Sequence, residues 1–132
     1  MCKNDCSWNL TADRLLQPVL LFLLCLKPSH GYELIQRLAQ LDLLEGEADP
    51  ATVYRNLRRM EQEGLVISSW EATGTGPARR RYAVTPKGDE LLDAWMVAVR
   101  RQKEKLEKFI RLYENHLDSE KARGGENLLP EG

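Results

Sequence analysis

The chain has 132 residues, a formal net charge of −1 and 42% hydrophobic content. That suffices for one domain with a single core and an accessory element, and it excludes a global basic field that would point to nucleic acid by composition alone. Three cysteines, an odd count, argue against a disulfide framework and so for a cytoplasmic protein, and no apolar run reaches the roughly 20 residues that cross a bilayer.

Residues 1–9 are polar and lack the apolar stretch of a signal peptide, and residues 1–11 are expected to form a mobile tail. Cys2 and Cys6 within it have a spacing open to metal or redox pairing. Structural zinc wants four ligands and no third is evident, so two free thiols is the plainer reading. No cofactor is expected. A first helix is predicted over 12–26, with Pro18 in an early turn if the helix starts near Leu16. Val19, Leu20, Phe22, Leu23, Leu24 and Leu26 cover nearly its whole circumference, which implies burial on more than one side, in a core or an oligomer interface. Cys25 reads as a small buried hydrophobe. Ser29 is the expected N-cap of a second helix over 30–41, whose core stripe is Leu34, Ile35, Leu38 and Leu41, with Glu33, Gln36, Arg37 and Gln40 facing away. His30 reads as a capping or hydrogen-bonding residue. Tyr32 fits either a core position or a phosphate contact.

After an acidic loop, residues 49–64 (DPATVYRNLRRMEQEG) form the most informative stretch. Asp49 is a good N-cap, Pro50 suits the first helical position and Gly64 the stop. At 3.6 residues per turn Val53, Leu57 and Met60 fall on one side, while Thr52, Arg55 and Arg59 fall largely on the other, with Arg58 on the flank. Tyr54 sits at the boundary. Helix, short connection, helix is a helix-turn-helix, whose second member suits the DNA major groove; taken alone, the arginines would equally suit a solvated surface.

Residues 65–70 read as a strand, 73–77 as a turn, and 79–84 (RRRYAV) as the return strand, a hairpin in the position of a wing. Arg79, Arg80 and Arg81 either blunt an edge strand or meet phosphates or the minor groove; adjacency to a second basic surface favours the latter contacts. Six arginines against three acids make 52–82 basic, whereas 114–132 holds five acids against two bases. Thr85-Pro86 opens a long helix to about Leu117. Leu92, Val99, Leu106 and Tyr113 recur every seven residues, with Trp95, Met96, Phe109, Ile110 and Leu117 beside them and a break at Gln102 and Lys103. This is a seam of about four heptads. A second copy of the chain is the economical partner, folding back onto the first helix is the alternative, and both are compatible. Five such side chains at roughly 1.5–3 kcal/mol each can drive association before docking entropy is subtracted. Residues 118–132 are charged, aperiodic and expected to be disordered.

The fold class expected is therefore mainly α with a small β-hairpin: a winged helix-turn-helix domain over 12–85 and a long C-terminal dimerisation helix over 86–117. The runs HGYELIQRL, ATVYRNLRRMEQEGLV and GPARRRYAVTPKG, followed by a long final helix, resemble the PadR family of bacterial transcriptional regulators over roughly 16–117. The pattern, with its late Trp and Phe-x-x-x-Tyr, is similar to the poly-β-hydroxybutyrate-responsive repressor subgroup. The resemblance implies a homodimeric repressor on an inverted-repeat DNA operator. It assigns DNA contacts to Thr52, Tyr54, Arg55, Arg59, Arg79, Arg80 and Arg81. It implies a dimer interface through the first and last helices, here Phe22, Leu92, Trp95, Val99, Leu106, Phe109, Ile110 and Tyr113. It also implies a small planar or aromatic effector, for which Trp95 is the candidate, with plain packing the simpler role for that residue. The competing readings are a winged-helix adaptor acting through protein contacts and, least supported, an enzyme: His30 and His116 lie on different elements, and no HExxH, Walker or GxSxG pattern occurs.

Overall fold

Helix α1 (Ala12–Leu26) carries the residues that the rest of the domain closes over: Leu16, Val19, Leu20, Leu21, Leu23 and Leu24 are all buried. The computed structural model describes residues 12–44, 49–72, 74 and 76–123. It divides into two units, Met1–Trp95 and Met96–Gly132. In the first, α1 is followed by a two-residue strand β1 (Ser29–His30), α2 (Gly31–Leu41), α3 (Pro50–Gln62), β2 (Val66–Glu71), β3 (Arg79–Val84) and the start of α4 (Pro86–Ala122). Leu34 and Leu38 of α2, Val53, Leu57 and Met60 of α3, and Leu65, Val66 and Tyr82 of the hairpin complete one core. Leu20, Leu21, Leu34, Val53, Leu57 and Met60 lose all their exposure. Each such side chain contributes on the order of 1.5–3 kcal/mol of burial.

The sheet is antiparallel with the order β1-β3-β2. Ser29 faces Tyr82 and His30 faces Arg81, while β2 and β3 run in register from Val66–Val84 to Glu71–Arg79. This pairing changes the expected cap of α2. Ser29 is drawn into the sheet and buried, so the N-cap passes to His30, whose backbone N–H donates to Glu33 Oε1 at 2.8 Å. The chain reverses after α2 at Asp42, a left-handed residue at φ 53°.

Three further expectations are corrected. Pro18 lies inside α1, because the helix already begins at Ala12, and its ring is buried. Arg37 does not face away: its Nη1 donates to Ser29 Oγ at 2.7 Å and its Nη2 to Leu23 O at 3.0 Å, a second donor to a carbonyl that also accepts from Lys27 N at the end of α1. Cys25 is exposed, not buried, and its Sγ donates to Asp89 Oδ1 at 3.3 Å. Partial loss of solvent, then the Asp89 hydrogen bond and charge, raise this thiol to about 11.

The α3–α4 junction is stitched by backbone groups. Gly64, at φ 79°, donates to Glu61 O, and Leu65 N donates to Met60 O at 2.8 Å, the paired bonds of a Schellman stop. Thr85 N then donates to Leu65 O and Thr85 Oγ1 to Gly64 O, while the same Oγ1 accepts from Gly88 N to start α4. Helix α4 continues to Ala122, past the expected end at Leu117. Its first turns settle one open alternative in part. Leu91 and Leu92 pack against the core, and Trp95 Nε1 donates to Gln17 Oε1 of α1 at 3.1 Å. Leu92 and Trp95 are thus half-covered by their own chain.

In the second unit every side chain from Arg100 to Arg123 is exposed. Leu106, Phe109, Ile110, Leu112, Tyr113 and Leu117 are among them.

Candidate nucleic-acid interface

Helix α3 is built to hold one face still. Asp49 caps it by accepting from Thr52 N at 3.2 Å, Pro50 fills the first turn, and Val53, Leu57 and Met60 anchor the inner side. A second tie comes from Glu61, whose Oε2 accepts from Ser68 N at 3.1 Å and Ser68 Oγ at 2.7 Å, joining the last turn of α3 to β2. The outer side carries Arg55, Arg58 and Arg59, all exposed. Arg55 Nη2 donates to Thr52 Oγ1 at 3.1 Å, and Thr52 Oγ1 in turn lies 3.2 Å from Asp49 Oδ2, so a chain of hydrogen bonds leads from the cap to this guanidinium. Asn56 Nδ2 bonds back to Thr52 O and is turned to the helix. The Arg59 guanidinium has no hydrogen-bond or ion-pair partner among the described residues.

Beside this face lies a groove of about 580 Å³ lined by His30, Gly31, Tyr32, Tyr54, Arg79, Arg80 and Tyr82. It brings the start of α2, the first turn of α3 and the wing strand together. Gly31 makes the approach feasible, since a Cβ there would run into the Tyr54 ring. Tyr54 is exposed and belongs to this groove, not to the outermost face of α3. Tyr32, which the sequence leaves open, is 40% exposed and is not a core residue. Its hydroxyl accepts from Arg79 Nη1 at 2.8 Å, and its ring stacks on His30 with centroids 5.5 Å apart and planes 4° from parallel.

His30 ties the groove to the wing. Its Nδ1 lies 3.1 Å from Glu33 Oε1 and its Nε2 2.7 Å from Glu71 Oε1. Glu71 Oε2 also stands 3.9 Å from Arg81 Nη1, so among the described residues Arg81 is the wing arginine with an ion-pair partner. Glu33 is held below the usual carboxylate range, first by the His30 backbone N–H and then by the imidazole.

The structure therefore gathers Tyr54, Arg79 and Arg80 around one groove and sets Thr52, Arg55 and Arg59 on the helix beside it. Two contacts escape the sequence reading. The Tyr32–Arg79 bond joins residues far apart in the chain, and Trp70, read only as part of a strand, lies exposed opposite Arg80. Alternation along β2 would have placed Trp70 on the face of Val66, but not beyond the edge of the core. Of the expected dimer residues, Phe22 is exposed on α1, Val99 is half-buried, and Leu106, Phe109, Ile110 and Tyr113 are exposed. Cys2 and Cys6 lie outside the described residues, and among the described residues no cluster of His, Cys, Asp or Glu could hold a metal. No described helix is long and apolar enough to cross a membrane.

Comparison with known proteins agrees with this architecture. No curated protein matches. Among solved structures, a conserved protein named a potential transcriptional factor is 31% identical, with 78% of this chain and 90% of that one covered and a TM-score of 0.69. A PadR-family transcriptional regulator from Eggerthella lenta is 25% identical over 75% of this chain and 84% of its own, at a TM-score of 0.68. PadR from Bacillus subtilis, solved in complex with operator DNA, shares the fold at 23% identity and a TM-score of 0.58, covering 64% of this chain and 46% of that one. Residues 20–94 match the transcriptional regulator PadR-like family, more than half of the chain, and the chain belongs to that family.

Proposed function

We propose that this regulator binds double-stranded DNA sequence-specifically, as a cytoplasmic homodimeric repressor on an inverted-repeat operator. The observation that carries the reading is the two-sided α3: its inner face is fully buried at Val53, Leu57 and Met60, while Thr52, Arg55 and Arg59 stand outward next to the groove of Tyr54, Arg79 and Arg80. A rigidly seated helix with outward arginines fits the major groove, where a guanidinium meets guanine O6 and N7. Arg79, Arg80 and Arg81 on the wing supply backbone contacts, which position without reading sequence. The operator complex of Bacillus subtilis PadR supports the same use of the shared fold. Exposed Phe22 and the apolar run Leu106, Phe109, Ile110 and Tyr113 support pairing of two copies. Relief by a small planar or aromatic effector stacking on half-buried Trp95 belongs to the same reading.

The test is binding of Arg55→Ala to a duplex selected by the wild-type chain from a random pool, measured against salt. A loss of about 1–3 kcal/mol with relaxed preference at one base position is expected. Unchanged affinity would remove α3 from the interface. Binding indifferent to salt would favour a protein-contact adaptor, because phosphate neutralisation releases counterions.

A further inference from the structure

We infer that Trp70 and Tyr32 are positioning residues for the wing's DNA contact, each holding one arginine over the groove by its aromatic ring. The inference rests on the DNA-binding reading above and assigns roles within it. In the β2–β3 register Trp70 stands directly opposite Arg80, and the Arg80 guanidinium carbon lies 4.8 Å from the indole centroid. Trp70 is 65% exposed, so its large apolar surface is not there to fill the core. On the other side Arg79 lies 5.1 Å from the Tyr32 ring centroid and donates to its hydroxyl. Tyr32 is itself backed by the parallel His30 ring.

Two consequences separate this arrangement from ordinary ion pairing. Neighbouring strand residues point to opposite faces, yet Arg79 and Arg80 both line the one groove, and each has an aromatic ring against its guanidinium. A ring over the flat face of a guanidinium leaves edge N–H donors for an anion and neutralises none of its charge; on Arg79 one of those donors, on Nη1, is taken by the Tyr32 hydroxyl. Arg81, by contrast, faces the Glu71 carboxylate and is partly compensated. A pair of charged, oriented forks across a groove fits the oxygens of a phosphodiester backbone, which planar guanidinium binds two at a time. Orientation fixed before binding removes part of the ordering cost of the complex.

The experiment is a double-mutant cycle on the wild-type-selected duplex, with affinity measured across a salt series. Trp70→Leu is expected to weaken binding roughly two- to five-fold, the equivalent of an exposed cation–π contact, with the slope of log affinity against log salt unchanged because no charge is lost. Arg80→Ala is expected to weaken binding and to lower that slope by about one contact. In Trp70→Leu/Arg80→Ala the tryptophan should cost nothing further, and Trp70→Phe, which keeps a ring face, should restore most of the affinity. Tyr32→Leu and Arg79→Ala form the matching cycle on the other side, where Tyr32→Phe keeps the ring and removes only the hydroxyl. Losses that add fully, or a Trp70→Leu chain that binds like wild type with its thermal transition intact, overturn the inference while leaving DNA binding standing. A wild-type chain that selects no duplex overturns both.

Discussion

Glu33 shows at the scale of one residue how the groove is held. Its carboxylate accepts the His30 backbone N–H at 2.8 Å and faces His30 Nδ1, and its pKa is lowered from 4.5. A depressed carboxylate stabilises the fold above its unfolded pKa, and that contribution disappears as pH falls through the folded value. Glutamine at this position keeps a carbonyl for the cap but loses the charge. Glu33→Gln should therefore reduce stability at pH 7 by on the order of 0.5 kcal/mol, a small value because the side chain is partly exposed. Urea midpoints measured against pH should show this gap closing below the ordinary carboxylate range; a gap that persists in acid would mean that the charge plays no part. His30 as a capping residue was legible from its place before a periodic helix. Its reach to Glu71 was not, because the two lie 41 positions apart and meet only once the hairpin folds.

At the scale of elements, α3 was the most readable segment and β1 the least, for the same reason. Cap, proline, buried stripe and terminal glycine of α3 are all signals within a few residues of one another, and Asp49, Pro50, Val53, Leu57, Met60 and Gly64 behave as their local chemistry dictates. Strand β1 is two residues long and exists only because Tyr82 and Arg81 stand opposite it. The expected cap at Ser29 and the outward Arg37 were overturned together by that pairing. Gly88 shows a non-local demand of the same kind. It lies in α4, where glycine is normally about 1 kcal/mol worse than alanine. A Cβ here, however, would collide with the Leu65 carbonyl oxygen and come within 2.9 Å of Val84 Cγ2, and that carbonyl is pinned by Thr85 N at 3.0 Å. The clash outweighs the propensity gain. Gly88→Ala should destabilise by about 1–3 kcal/mol in chemical denaturation, and a stabilised variant would contradict the close approach of the α3 stop to α4.

For the whole molecule, the heptad-spaced seam was legible as a repeat, whereas its division of labour was not. Near its start Leu92 and Trp95 are half-covered within their own chain; Leu106, Phe109, Ile110 and Tyr113 in the second unit remain exposed. Sedimentation of the full chain should show a dimer that dissociates on dilution. Ile110→Glu should shift it toward monomer and weaken binding to a duplex with two half-sites far more than to one, since paired recognition helices are expected one DNA turn, about 34 Å, apart. A chain that stays monomeric at every concentration would rule out the homodimer. The hydrogen-bonded line from Asp49 through Thr52 to Arg55 has a bearing on how such a regulator diversifies. Asp49 need never touch a nucleic acid, yet its loss would at once fray the first turn of a helix and unmoor the arginine proposed to read bases. Descendants that retarget to a new promoter must renegotiate their helix start along with their reading residue, so the two positions should drift as a unit.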